Sequence, residues 1–123
     1  MKVLIVDDSS MVQERLLLML SEQDGIHIVG QAQNGIDALK LIKDQKPHTV
    51  ILDIRMPGGN GIDVLQNIKQ INPNIKVIMF TNYPYSQYRT KCLKSGADYF
   101  LDKSAEFNKI PEIINHLAKA IQE

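Results

Sequence analysis

Short apolar runs alternate along the chain with longer segments in which apolar residues recur every three or four positions. The runs are Val3-Leu4-Ile5-Val6, Ile26-His27-Ile28-Val29, Val50-Ile51-Leu52, Val77-Ile78-Met79-Phe80 and Tyr99-Phe100-Leu101. The first, third and fourth are rich in β-branched residues and are not interrupted by polar ones. Strands buried on both faces read this way, as in a parallel sheet covered by helices. Between the runs lie segments of helical length. Ser9 or Ser10 suits the N-cap of a helix over about residues 10–22, and Asn34 the cap of a second, with Ile36, Leu39 and Ile42 on one face and Pro47 beyond its end. Gly61 opens a third, with Ile62, Leu65, Ile68 and Ile71 inward and Asn72-Pro73 as its stop. A fourth runs from about Pro84 to Ser95 and ends at Gly96. The last carries Ile110, Ile113, Ile114, Leu117 and Ile121 on one stripe, with Pro111 in its first turn, where a missing N–H costs little.

The pattern is five β–α units. It predicts an α/β domain with a parallel sheet, right-handed crossovers and helices on both faces. Ligands of such sheets bind outside the carboxyl ends of the strands. No internal repeat, low-complexity tract or interdomain linker interrupts the alternation.

Composition narrows the class. A length of 123 residues suits one domain, and an apolar fraction of 44% is enough for a real core. Fourteen basic and fourteen acidic residues cancel, which argues against a duplex-DNA binder with its usual basic excess. The single cysteine, Cys92, excludes an intramolecular disulfide framework and any zinc site built on several thiolates. His27, His48 and His116 lack metal-ligand spacing. The start, MKVLIVDDSS, reaches two aspartates after four apolar residues, too soon for a signal-peptide core. No stretch approaches the ~18 apolar residues of a membrane span. The expectation is a cytoplasmic protein with one domain over residues 1–123 and no output domain.

The strand ends carry the chemistry. The first run ends in Asp7-Asp8, the third in Asp53, the fourth in Thr81 and the fifth near Lys103. In a doubly wound sheet these ends share one edge, so three carboxylates, a hydroxyl and an ammonium converge there. Clustered carboxylates repel one another, and a divalent cation removes the repulsion. Oxygen ligands without thiols or imidazoles favour Mg²⁺, Mn²⁺ or Ca²⁺ over zinc. Mg²⁺ usually keeps waters and meets substrate phosphate, so the set suits phosphoryl chemistry with a carboxylate nucleophile. A dinucleotide site or P-loop needs glycines in the first β–α turn. That turn is Val6-Asp7-Asp8-Ser9-Ser10, and Gly58, Gly59 and Gly61 follow the third strand instead, without the Lys-Ser/Thr of a P-loop.

Four motifs stand in order: Ile5-Val6-Asp7-Asp8, then Leu52-Asp53-Ile54-Arg55-Met56-Pro57 with Gly61, then Phe80-Thr81, then Gly96-Ala97-Asp98-Tyr99-Phe100-Leu101-Asp102-Lys103. Through them the chain resembles a response-regulator receiver domain of two-component signalling, of the stand-alone chemotaxis-regulator type. The resemblance covers nearly the whole chain. It implies a flavodoxin-like doubly wound (βα)5 sandwich with strand order 2-1-3-4-5. It makes Asp53 the phosphoryl acceptor, and Asp8 a direct and Asp7 a largely water-mediated ligand of Mg²⁺, with Mn²⁺ as the alternative ion. The Arg55 carbonyl is a further implied metal ligand. Thr81 and Lys103 would bind the phosphoryl group, and Phe100 matches an aromatic switch position. The implied partners are a sensor histidine kinase or histidine phosphotransfer protein and a downstream protein reached through the surface near the fourth helix. No direct nucleic-acid or membrane contact is expected, and the assembly is a monomer or weak homodimer. The chain would be a signalling phosphoprotein that catalyses its own phosphorylation and slow dephosphorylation rather than an enzyme.

Several positions depart from the commonest pattern. Ser104 stands where a proline usually follows the lysine, so a trans bond or an altered loop is expected there, because cis costs about 2.5–4 kcal/mol before a non-proline residue. Asn82 is larger than the usual residue after the threonine. Phe100 replaces a frequent tyrosine. Arg55 and Tyr83 flank the site at positions that tune phosphoryl lifetime in the family. Elsewhere, Leu16-Leu17-Leu18-Met19-Leu20 is wider than one helix face, as a docking patch or as core overflow. Tyr83, Tyr85 and Tyr88 form either a partner surface or a solvated rim. Two other functions use the same residues. One is a Mg²⁺-dependent aspartyl-phosphate phosphatase, which typically carries an acid/base aspartate where this chain has Arg55. The other is the regulatory half of a DNA-binding transcription factor acting through another chain.

Overall fold

The computed structural model describes residues 1–57 and 59–122. Its elements in chain order are β1 (Lys2–Val6), α1 (Ser10–Ser21), β2 (His27–Ala32), α2 (Gly35–Gln45), β3 (Thr49–Leu52), β4 (Arg55–Met56), β5 (Gly59–Asn60), α3 (Gly61–Ile71), β6 (Lys76–Thr81), α4 (Ser86–Lys94), β7 (Tyr99–Asp102) and α5 (Lys109–Gln122). Five strands form one parallel sheet in the order β2-β1-β3-β6-β7. Counting only the strands of this sheet, that is 2-1-3-4-5, the flavodoxin-like order the resemblance implies. The two remaining strands, β4 and β5, pair antiparallel in a small hairpin just after β3. The apolar pattern gave no sign of it, because two-residue strands have no periodicity to read.

Alternation within the strands decides which helices lie on which face. Val3 and Ile5 of β1, with Ile51, Ile78, Phe80 and Leu101, pack against Leu16 and Leu20 of α1 and Ile110, Ile114 and Leu117 of α5. Leu4 and Val6, with Val50, Leu52, Val77, Met79 and Phe100, pack against Ala38 and Ile42 of α2, Ile62, Leu65 and Ile68 of α3 and Cys92 of α4. Central strands buried on both sides explain why the runs read as continuously apolar.

Two caps are those the sequence suggests: Ser9 accepts the Val12 N–H and Asn34 the Asp37 N–H. Asn60, which the sequence reading did not single out, accepts the Ile62 N–H at the start of α3. Gly96 takes φ +101° just after α4, where a residue with a Cβ is strained.

Four expectations change. Ile36 is 64% exposed, because Gly35, Ala38 and Ile42 carry the inward face of α2. Ile71 and Ile121 sit at helix ends beyond the sheet and are exposed. α4 starts at Ser86 rather than Pro84, with Tyr85 at its cap position. β2 continues past Val29 to Ala32, with a register shift opposite Val3 and Leu4. The wide run in α1 resolves into buried Leu16 and Leu20, half-buried Leu17 and Met19, and exposed Leu18.

Candidate functional site

The parallel register aligns the carboxyl ends of β1, β3, β6 and β7. The Asp53 N–H donates to the Val6 carbonyl at 3.0 Å, and the Lys103 N–H to the Thr81 carbonyl at 2.9 Å. These bonds carry the ladder one residue past the strands and bring Asp7, Asp53, Thr81 and Lys103 to one edge. All four are buried, whereas Asp8 is exposed. One ligand oxygen from each of Asp7, Asp8 and Asp53 lies within 4.8 Å of the others.

Lys103 Nζ sits between two of these carboxylates. It lies 2.5 Å from Asp7 Oδ2 and 3.0 Å from Asp53 Oδ2. The other oxygen of each is tied to backbone: Asp7 Oδ1 accepts the Ser9 N–H at 2.9 Å, and Asp53 Oδ1 accepts the Ile54 N–H at 2.7 Å. Burial raises the Asp7 pKa, against the opposing pull of Lys103 and the Ser9 N–H. Burial works to lower the Lys103 pKa, but Asp7 and Asp53 outweigh it and the net shift is upward. Lys103 therefore remains an ammonium throughout the physiological range.

The hairpin shapes the floor. The Gly61 N–H donates to the Ile54 carbonyl at 2.6 Å. A Cβ at Gly61 would stand 1.8 Å from the Asp53 carbonyl oxygen. Only glycine permits α3 to begin this close to the carboxyl end of β3. Arg55, on β4, turns outward: its guanidinium lies 3.9 Å from the centre of the Tyr83 ring and donates to the Tyr88 hydroxyl at 3.3 Å. The Tyr85 ring lies 5.8 Å from that of Tyr88 and 6.4 Å from that of Tyr83, tilted 45° and 43° to them.

Thr81 is placed at the edge, but its hydroxyl accepts the Tyr83 N–H at 3.0 Å. Among the described residues no hydrogen bond joins it to Asp53. Phe100 is buried, with its ring in the core on the α4 side. The Lys103-Ser104 peptide is trans, and the turn is held instead by Asp102 Oδ1, which accepts both the N–H and the O–H of Ser104. A proline there could supply neither donor.

One residue escaped the sequence reading. Gln13 is 6% exposed, and its Nε2 donates to the carbonyls of Asp7 and Ala32 at 2.7 and 2.9 Å. The available signal was its place on the α1 stripe, three residues before Leu16 and seven before Leu20. A polar side chain there must find partners.

The donor set suits a hard divalent cation. It offers three carboxylates without thiol or imidazole, at a strand end open to water on the Asp8 side. Residues 3–115 match the family model described as the response regulator receiver domain. The chain belongs to the response regulator receiver domain family. This receiver is 34% identical over 113 residues to the response regulator GacA of Pseudomonas protegens, a match covering 92% of this chain and 53% of that one. It spans about half the length of the curated relatives it matches. Among solved structures it resembles a DNA-binding response regulator of the LuxR family from Staphylococcus aureus. The TM-score is 0.87 and the identity 32%, covering 95% of this chain and 98% of that one. It also resembles the CheX-CheY-BeF3-Mg²⁺ complex from Borrelia burgdorferi, with TM-score 0.80 and 31% identity over 92% of this chain and 88% of that one. None of the described helices is long and apolar enough to cross a membrane.

Proposed function

We propose that this receiver accepts a phosphoryl group on Asp53 from a phosphohistidine of a sensor kinase or phosphotransfer protein. In the transfer, an Asp53 oxygen bonds to phosphorus while the bond from phosphorus to the donor imidazole breaks, and the imidazole keeps that electron pair. The carrying observation is the buried Asp53–Lys103 pair, with ligand oxygens of Asp7, Asp8 and Asp53 within 4.8 Å of one another. Asp7, Asp8 and Asp53, with the Arg55 carbonyl, are the groups that would hold Mg²⁺ (Mn²⁺ in its place). When bound, the ion supplies charge neutralisation for the phosphoryl oxygens. Lys103 adds the ammonium of the chain itself. It already touches the nucleophile, so little reorganisation is needed to meet the transferred group.

Phosphorylation replaces the single charge of the Asp53 carboxylate with a phosphoryl group carrying about −1.5 to −2 charges at one buried point. Thr81 and Lys103 then turn toward it. The Thr81 hydroxyl presently holds the Tyr83 amide, so its movement releases the segment carrying Tyr83, Tyr85 and Tyr88. A switched protein-interaction surface near α4 is the output, with Phe100 following Thr81. One receiver domain spans residues 1–123 in this reading, in the cytoplasm.

The DNA-binding relative from Staphylococcus aureus favours a second reading, in which the same switch serves as the regulatory half of a transcription regulator. The phosphatase alternative is less well supported. The residue two past Asp53 is Arg55, which is turned onto Tyr83 and offers no acid. Incubation with Mg²⁺ and acetyl phosphate tests the main proposal. The expected result is a mass gain of one phosphoryl group that Asp53→Ala abolishes. A gain that survives this substitution, or none in the wild type, overturns it. Turnover of free phosphate esters would support the phosphatase, and a gel shift on phosphorylation the DNA-linked reading.

A further inference from the structure

Of the three clustered carboxylates, two are fixed by their own bonds. Asp7 and Asp53 each accept one backbone N–H, and both pair with Lys103. Asp8 is different. It is exposed, and among the described residues no hydrogen bond or ion pair holds its carboxylate. Its direction depends on the peptide that precedes it.

That peptide is clamped from α1. The Asp7 carbonyl, which belongs to the Asp7–Asp8 peptide, accepts a 2.7 Å hydrogen bond from Gln13 Nε2. The same nitrogen donates its second hydrogen to the Ala32 carbonyl at 2.9 Å, and that carbonyl also accepts the Asp7 N–H at 3.0 Å. A glutamine amide has two N–H donors, and here both are spent on strand-end carbonyls. Rotating the Asp7–Asp8 peptide would strand a buried donor and acceptor together, which proteins avoid.

We propose that Gln13 is a positioning residue for the cation site: by clamping the Asp7 carbonyl to the end of β2, it sets the direction from which Asp8 meets a divalent cation. This rests on the metal-assisted reading above. Asp8 gains through the backbone the orientation that Asp7 and Asp53 gain through their side chains. The placement also suits burial, since Leu16 and Leu20 anchor α1 against the sheet and leave Gln13 no freedom to withdraw.

The test measures Mg²⁺ binding to the full chain by calorimetry, without any phosphodonor. The proteins are the wild type, Gln13→Met, Asp8→Ala and the double variant, with thermal unfolding of each. Gln13→Met keeps the length and apolar stem but removes both donors. The expected result is Mg²⁺ binding about tenfold weaker in Gln13→Met, as for other residues that orient metal ligands. In the Asp8→Ala background the same change should have no further effect on affinity, because the carboxylate it orients is gone. A stability-matched control, Ile114→Val in α5, should bind Mg²⁺ like the wild type. Should Gln13→Met fail to fold, Gln13→Asn, one methylene shorter, serves the same comparison. Unchanged affinity in the Gln13 variant, or a loss that is equal with and without Asp8, overturns the inference while leaving the site intact. No Mg²⁺ binding by the wild type overturns the metal-assisted reading and the inference with it.

Discussion

Lys103 Nζ lies 2.5 Å from Asp7 Oδ2, with the two side chains 6% and 3% exposed. The same ammonium reaches Asp53 on its other side. Removing it leaves two buried carboxylates facing each other with no counter-charge. Breaking a buried pair in this way costs about 3 kcal/mol. Lys103→Met should therefore melt well below the wild type in EDTA. Mg²⁺ should recover more stability in the variant than in the wild type, because the cation then meets two carboxylates without a competing ammonium. Labelling of Asp53 by acetyl phosphate should fall about a hundredfold, the usual cost of losing a group aimed at developing charge. Thermal unfolding with and without Mg²⁺, together with labelling rates, checks all three.

Gly61 and Gly59 form a matched pair of sites. A Cβ at Gly61 would stand 1.8 Å from the Asp53 carbonyl oxygen, while one at Gly59 meets nothing within 4 Å. Backbone cannot yield as a flexible side chain does, so Gly61→Ala should cost about 3 kcal/mol by overpacking. It should also displace Asp53 and slow phosphorylation. Gly59→Ala should stay within about 0.5 kcal/mol of the wild type. Chemical denaturation of the two variants makes the comparison.

These two sites show what a sequence can and cannot disclose. The three central strands were legible because burial on both faces leaves uninterrupted apolar runs, the edge strands by shorter apolar runs, and the helices because Ser9, Asn34, Gly61 and Gly96 mark their ends. The site was legible in outline, since a parallel sheet brings Asp7, Asp53, Thr81 and Lys103 to one edge whatever the side-chain details. Contacts set by three-dimensional accident were not. The β4–β5 hairpin is too short to carry a pattern. Ile36 followed the helical period but lost its inward place to Gly35 and Ala38. Gln13 makes its bonds to backbone carbonyls, so the sequence shows a polar residue on the α1 stripe but not its partners.

His48 joins β1 to β3 at the far edge of the sheet. Its N–H donates to the Lys2 carbonyl, and its Nδ1 accepts the Lys2 N–H at 2.9 Å. Nδ1 can accept only while unprotonated. Burial, with the positive charges of Lys2 and the N-terminus, holds the His48 pKa below its ordinary value of 6.5. The folded state thus resists a proton that the unfolded state takes up. Stability is full above pH 6.5 and falls as the pH drops through that value toward the folded pKa. The ring is largely solvated, so the loss should be less than about 1 kcal/mol, the scale of one hydrogen bond. In His48→Gln this component of the pH dependence should vanish, as read from denaturation midpoints between pH 7.5 and 5.

Cys92 is fully buried in α4 against the sheet, and burial pushes its thiol pKa up to about 11. A thiol this reluctant to ionise is a poor nucleophile at neutral pH. Iodoacetamide at pH 8 should leave the native protein unmodified while labelling it fully in denaturant. Cys92→Ala should cost less than Cys92→Ser, because the serine hydroxyl would need a partner in an apolar pocket at a cost of about 1–3 kcal/mol. Labelling followed by mass measurement, and unfolding of both variants, test this.

Thr81 links the carboxylate-bearing edge of the sheet to the aromatic segment that follows it. Its hydroxyl accepts the Tyr83 N–H, and the Tyr83 ring carries the Arg55 guanidinium at 3.9 Å. Thr81 makes no bond to Asp53 among the described residues, and its hydroxyl holds the Tyr83 amide instead, so under the proposed function its loss is expected to affect the reporting of a phosphoryl group more than its acceptance. Thr81→Ala should still be phosphorylated on Asp53, with a rate lowered by less than about tenfold because Lys103 and the carboxylates remain. The wild type should show shifts in the NMR signals of Tyr83, Tyr85 and Tyr88 on addition of beryllofluoride and Mg²⁺. In Thr81→Ala those shifts should be absent or greatly reduced, although beryllofluoride still binds at Asp53. If the tyrosine signals move equally in both proteins, the signal reaches α4 by a route that bypasses Thr81. Phe100 of β7, buried on the α4 side of the sheet with its carbonyl accepting from Arg89 at 3.4 Å, is then the residue to substitute next.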